Sequence, residues 1–299
     1  MQHVISDKNV VYSFSGENSP AAKAASGDEL VFVTKDCFSN QLNKPEDKLE
    51  QLNWDRINPA TGPVYIEGAQ KGDTLKVTVR KIELSDTAVV ATGRDMGLFG
   101  SRLPDTYVRI VEVKDGRVKF SDCVSLPVKP MIGVIGVAPE SGAISCGTPG
   151  SHGGNMDNTM IGEEAVLYFP VFKEGALFAL GDVHAVMGDG EVCVCGAEIK
   201  ATVTVKVEVL KGRPIRNPIV ENAEKFAAVA AEDTLDKAVE TSAFDMAELI
   251  AGQTSMPREE IAMLMSLAGN AEVCQVVDPK KTARFAMPKR ILADIGFSF

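Results

Sequence analysis

The chain has 299 residues, of which 45% are hydrophobic, 24% charged and 6% aromatic. That composition excludes a disordered or fibrous protein, and the length suits one large domain or two modest ones. A formal charge of −10 speaks against a nucleic-acid surface, because phosphate recognition needs concentrated Lys and Arg.

The opening MQHVISDKNVVYSF has no basic start followed by a long apolar core, so it does not read as a signal peptide. No apolar run approaches the length needed to cross a bilayer, and a cytoplasmic location is expected. From there to about residue 120 the pattern is mainly β. LVFVTKDCF (30–38) begins as a strand and turns polar. GPVYIEGAQKGD (62–73) is a short strand and a turn, and TLKVTVRKIEL (74–84) alternates with period two, as a half-buried strand does. The polar run 41–63 holds the only tryptophan, Trp54, expected to be a packing anchor. TAVVATGRDMGLFGSRLPD (87–105) is broken by glycines and reads as a surface excursion. Residues 106–128 read as a hairpin turning at Lys114-Asp115-Gly116, because Asp-Gly suits the positive φ angles of a tight turn.

Residues 131–210 are the densest part. MIGVIGVA enters a glycine-rich loop (145–164), VLYFPVF returns as a strand, GDVHAVMGDGE (181–191) forms a second glycine-rich loop, and ATVTVKVEV (201–209) alternates cleanly. Such a β platform commonly presents functional groups on its loops. After about 216 the pattern becomes α/β. Residues 232–252 make an amphipathic helix with Asp233 or Thr234 as its cap and Gly252 at its end, and 255–269 make a second, ending at Gly269. The methionines at 246, 256, 263 and 265 are expected in the core of these helices. AEVCQVVDP reads as a strand. The expected organisation is a β-rich region 1–130, a β-rich catalytic core 131–215 and an α/β region 216–299 packed on it. The fold class is mainly β, a sandwich or barrel-like structure with a smaller C-terminal α/β portion.

Six cysteines in a chain this long are expected to be free thiols. Cys193 and Cys195 would point to opposite faces of a strand, which makes them poor partners. Cys146, in the first glycine-rich loop, is a minor candidate nucleophile. No Walker sequence, GxGxxG, HExxH, GxSxG or EF-hand consensus occurs.

The two glycine-rich loops hold two of the three histidines. In SCGTPGSHGGNMDNTMIGEE, glycines leave His152 and Asp157 unshielded by neighbouring side chains. In GDVHAVMGDGEVC, an extended Asp182-Val183-His184 puts Asp182 and His184 on one side, where they can share a metal or where the Asp can orient the imidazole. Gly188-Asp189-Gly190 alone is an ordinary turn. His3 sits near the chain end and carries no expected function. Zinc takes imidazole nitrogen and carboxylate oxygen, and a catalytic zinc keeps one position open. His184, Asp182 and Asp157 could form that sphere, with Glu191 or Glu67 as base. An all-oxygen calcium site is the alternative such acidic loops allow.

SHGGNMDNTMIGEEAVLYFPVF, then GALFALGDVHAVMGDGEVC, preceded by GPVYIEGAQKGDTL, resemble the acetamidase/formamidase family, in matching order and spacing over nearly the whole chain. The resemblance implies hydrolysis of a short amide, of formamide or acetamide type, to a carboxylate and ammonia. It implies zinc, in some members with calcium, and a homodimer or higher homo-oligomer, with no nucleic acid or membrane as partner. Carried over by position, the site residues are His152, Asn155 and Asp157 from the first block and Asp182, His184 and Glu191 from the second, with Glu67 from the third. One departure stands out: the family commonly has Gln before Gly-Asp-Gly-Glu, and here Met187 replaces it. A thioether donates no hydrogen bond. If that glutamine touches substrate, this chain has another substrate range or is a noncatalytic, metal-stabilised binding protein.

Overall fold

The computed structural model describes residues 1–299. The two clean period-two patterns become the two longest strands, Thr74–Thr92 and Glu198–Leu210, paired antiparallel from Leu210↔Thr74 to Glu198↔Val89. Alternation does what the pleat requires: Val203, Val205 and Val207 are buried, while Thr202, Thr204 and Lys206 between them are half-buried. Glu29–Val33 adds to the free edge of Glu198–Leu210, and Val166–Pro170 and Tyr107–Lys114 add to Thr74–Thr92. Phe178–His184 lies between Met131–Gly136 and Ala60–Ile66 and reaches Glu198–Leu210 at its end. Every residue of Met131–Gly136 and Phe178–His184 is buried, because both faces are covered. The sheets are open and sandwich-like, not a closed barrel. Phe32 and Phe178 meet edge to face across the core, with centroids 5.7 Å apart.

The C-terminal region builds its own layer. Lys225–Glu232 pairs with Lys281–Pro288 along its whole length, and Asn270–Gln275 adds to the other edge. Helices α1 (Leu235–Gln253) and α2 (Arg258–Ala268) cover this sheet, enclosing Phe226, Met246, Ile250, Ile261, Met265 and Met287. Thr234 caps α1 by accepting the Lys237 N–H at 3.3 Å, satisfying one of the orphan donors of the first turn. The helix runs one residue past Gly252, and Gly269 follows α2 as expected. Met263 is exposed, so the expected core role holds for Met246 and Met265 but not for it. No helix is long and apolar enough to cross a membrane.

Some local expectations hold and others are corrected. The hairpin forms at Asp115-Gly116, with Lys114↔Arg117 and φ angles of 50° and 71°. The 87–105 excursion is shorter than expected, because the strand continues to Thr92 and pairs with Tyr107–Lys114. Trp54 is 53% exposed in a short 3-10 turn and anchors no core. All six cysteines are free. Cys193 and Cys195 share one face after all, because Val194 between them takes φ 93°. Both thiols point at the Ala91 carbonyl, at 3.9 and 3.1 Å.

Candidate active site

Strand register assembles the site. His184 is the last residue of Phe178–His184, and its cross-strand partner on Glu198–Leu210 is Glu198. Directly opposed residues share a face, so a carboxylate meets the imidazole: His184 Nε2 lies 3.1 Å from Glu198 Oε1, 3.3 Å from Asp182 Oδ1 and 3.8 Å from Asp157 Oδ1. Asp182 does sit beside His184, although both belong to the strand end and not to a loop. Asp157 follows the short strand Gly153–Asn155, which pairs with Met131–Gly136. Gly133 of that strand faces both aspartates; a Cβ there would stand 2.5 Å from Asp157 Oδ1 and 2.6 Å from Asp182 Oδ2. Asp157, Asp182 and Glu191 all hold positive φ, at 43°, 53° and 43°. Non-glycine residues seldom adopt that conformation, and it persists where surrounding structure over-determines it.

The segment carrying Glu191 is pinned to the C-terminal region. The Gly190 N–H donates to the Cys274 carbonyl at 2.8 Å, and the Val276 N–H donates to Gly190 O at 3.2 Å. Asp189 accepts from Arg284 Nη2 and from Thr159 Oγ1, both at 2.6 Å. Arg284 is itself buried and also bonds Glu272 and Asn158. Asp189 therefore shapes and anchors the turn, and Glu191 is delivered to the cluster.

Asp157, Asp182, His184, Glu191 and Glu198 are all buried. Asp157, His184 and Glu191 have ligand atoms within 4.8 Å of one another, and so have Cys37, Asp182 and Glu198. Both Asp157 oxygens, Glu191 Oε2, Glu198 Oε2 and His184 Nδ1 have no hydrogen-bond partner. Buried carboxylates without counter-charge cost several kcal/mol each (roughly), and one imidazolium cannot offset four. The donor set, one imidazole nitrogen and several orphaned carboxylate oxygens, fits a divalent cation. The titration directions express the same frustration. Burial, then the Asp157 charge, pushes Glu191 well above the usual carboxylate range. Burial drives the His184 imidazole down, but Glu198 and Asp182 outweigh it and hold it well above its ordinary value. Burial raises Asp157 and Glu198 as well.

The cluster opens onto a cavity of about 580 Å³. Of the residues expected from sequence, Asn155, Asp182 and Glu191 line it; Asp157 and His184 are buried beside them. Asn155 Nδ2 donates to Asp278 Oδ2 at 3.0 Å. Glu67 is not part of this lining: it is exposed on the turn after Ala60–Ile66, because that strand's register carries Ile66, not Glu67, into the core. His152 is fully buried but stacks edge-on against Phe14, 5.2 Å between centroids, and does not line the cavity. Cys146 is buried with its thiol on the Val11 carbonyl, and burial pushes it up to about 12, which leaves no thiolate at neutral pH for a nucleophilic role. Met187 is half-buried and also off the lining. Glu198, Asp278 and Cys37 line the cavity and escaped the sequence reading. Glu198 opens an ordinary-looking alternating strand; only the Asp-Pro at 278–279, a turn signal after a strand, offered any clue to Asp278.

His152 carries a testable linkage. Burial, with Lys280 nearby, lowers its imidazole from 6.5 to about 4. The unfolded chain then binds the extra proton, so stability is full above pH 6.5 and is lost as pH falls toward 4. By about pH 5 the loss amounts to about 2 kcal/mol. Urea unfolding at neutral and mildly acid pH should show that loss in the wild type and not in His152→Gln; equal losses in both would refute it.

The fold and the cluster together define a β-sandwich protein with a buried carboxylate–histidine centre on a cavity floor. A profile of the Acetamidase/Formamidase family matches residues 7–146 and 140–292. A predicted acetamidase/formamidase of Thermoanaerobacter tengcongensis, known as a crystal structure, is 54% identical, with a TM-score of 0.98 covering 100% of this chain and 99% of that one. An acetamidase structure from Bacillus halodurans is 41% identical, with a TM-score of 0.96 over 98% and 99% of the two chains. A formamidase of Methylophilus methylotrophus is 35% identical over 258 residues, 65% of this chain. This chain spans 63% of that formamidase's length, less than two thirds. The chain belongs to the Acetamidase/Formamidase family.

Proposed function

We propose that this chain is a metal-dependent amidohydrolase that cleaves a short-chain aliphatic amide to a carboxylate and ammonia. The observation that carries the reading is the group of orphaned buried carboxylates around His184 Nε2 on the floor of an open cavity. His184, Asp157 and Asp182 would hold the metal, with Glu198 beside them. The imidazole in the donor set favours zinc over calcium, which takes oxygen ligands alone. A bound divalent cation supplies Lewis acidity, making a nucleophile of water near neutral pH and polarising a carbonyl.

The chain's own groups do the rest. Glu191, its carboxylate basicity raised by burial and by Asp157, takes a proton from the attacking water as oxygen bonds to the amide carbon. Asn155 Oδ1, buried and unpaired, accepts an N–H of the substrate amide and orients it. Protonated Glu191 returns that proton to nitrogen, the C–N bond breaks and ammonia leaves, and the acid left behind releases its remaining hydroxyl proton to solvent and departs as the carboxylate. His152 stays a buried packing residue in this scheme, and Glu67 takes no part.

The reading assigns the catalytic core to 131–215, a cavity wall to 1–130 and Asp278 to 216–299. It includes a homo-oligomer, no nucleic-acid partner, and a cytoplasmic location, which six free thiols favour. Ammonia release from formamide, acetamide and propionamide tests it directly. Activity should disappear on chelation and return with added zinc. No release under any metal condition would overturn the reading and favour a noncatalytic, metal-stabilised binding protein.

A further inference from the structure

One buried guanidinium grips both segments that carry the site. Arg284 is 4% exposed and lies on the middle strand of the C-terminal sheet, Lys281–Pro288, opposite Val229 on one side and Glu272 on the other. All of its nitrogens are engaged. Nε donates to Glu272 Oε2 at 2.6 Å, which fixes the fork against its own sheet. Nη1 donates to Asn158 Oδ1 at 2.8 Å, and Nη2 donates to Asp189 Oδ2 at 2.6 Å. Nη1 also reaches Asp189 Oδ1 at 3.2 Å, and Thr159 Oγ1 closes the ring by donating to that same oxygen at 2.6 Å.

Asn158 directly follows Asp157, and Asp189 stands two residues before Glu191. The first glycine-rich segment is therefore held beside a candidate metal ligand, and the second beside the candidate base. Those two carboxylates need restraint. A ligand oxygen of each lies within 4.8 Å of the other, so like charges push them apart. Each backbone also sits at φ 43°, a conformation that persists only where the surroundings over-determine it. Stability alone does not call for an arginine here, because an apolar side chain of similar volume would avoid the cost of burying the cation. What arginine adds is a planar fork that fixes the angle between its partners, which a lysine ammonium cannot do.

Resting on the amidase reading, we propose that Arg284 is a positioning residue of the hydrolysis: through Asp189 and Asn158 it sets the Glu191 carboxylate against Asp157, and so against the attacking water. It does not line the cavity and acts through other residues. Arg284→Lys keeps the charge and loses the fork. In the zinc-supplied full chain it should lower kcat for acetamide hydrolysis by about 10–100-fold, the usual cost of losing a supporting partner at a metal site, with KM within about threefold of wild type. Asp189→Asn, at an exposed position, should act in the same direction, and it decides the matter if Arg284→Lys does not fold. The discriminating readout is the double-variant cycle with Glu191→Gln. Once the base is gone its placement no longer matters, so Arg284→Lys or Asp189→Asn should cost less than about threefold more in that background. A merely structural role would lower activity by the same factor in both backgrounds. Equal factors, or a kcat within about threefold of wild type in both single variants, overturn the positioning role, while ammonia release by the wild type keeps the amidase reading. A wild type that releases no ammonia from any amide overturns both.

Discussion

Glu191→Gln is expected to lower kcat for amide hydrolysis by about 10²–10⁴-fold, the usual contribution of a positioned general base. Glutamine matches glutamate in shape and tolerates the same buried position, so secondary structure and thermal transition should be nearly unchanged. The carboxylate that is lost is the one lining the cavity, with Oε2 free of any protein partner. Metal content separates two roles for it. Retained metal with lost turnover identifies Glu191 as the proton carrier, whereas lost metal identifies it as a ligand alongside Asp157 and His184, within whose reach it lies. A kcat within about threefold of wild type would remove Glu191 from the mechanism and turn attention to Glu198 and Asp278.

Gly133→Ala should disable the site without touching any candidate ligand. Gly133 has no positive φ, so alanine meets no backbone penalty there, and the effect is steric alone. The added Cβ would stand 2.5 Å from Asp157 Oδ1, 2.6 Å from Asp182 Oδ2 and 3.0 Å from the Asp182 carbonyl. None of these can give way easily. Asp157 and Asp182 are buried in left-handed conformations, and Met131–Gly136 is paired on both sides, to Gly153–Asn155 and Phe178–His184. Moving the two carboxylates apart should weaken metal binding and turnover by about 100-fold or more, at the upper end of what displaced support of a metal site costs. Zinc titration followed by ammonia release measures both quantities. Wild-type affinity in the alanine variant would mean that Asp157 and Asp182 do not act together.

The sequence made part of the site legible because part of it is local. Asp182 and His184 are two residues apart, and that spacing alone was enough to suggest that they share a side. His152, Asn155 and Asp157 cluster within six positions of a glycine-rich segment, and the family resemblance rests on those same residues. Locality alone does not say which of these side chains reach the cavity. Glu67 sits in a resembling block on an exposed turn, and His152 packs against Phe14 outside the cavity lining, with both ring nitrogens buried and unpartnered. Met187 appeared to limit the substrate range, yet it lies off the cavity lining.

By itself, the amino-acid order determined the class of fold, the longest alternating strands, the Asp115-Gly116 hairpin, both large helices and the Asp182–His184 pair. All of these follow from periodicity or from the φ preferences of a few adjacent residues. Glu198 and Asp278 were settled only by the folded chain. Glu198 reaches His184 through a cross-strand register, and Asp278 reaches Asn155 from more than a hundred residues away. Register and docking depend on how whole sheets bury their apolar faces, and no local spacing encodes that. The rest of the cavity lining is of the same kind: Phe38, Trp54, Met96 and Val194 look unrelated along the chain and line one cavity in the fold.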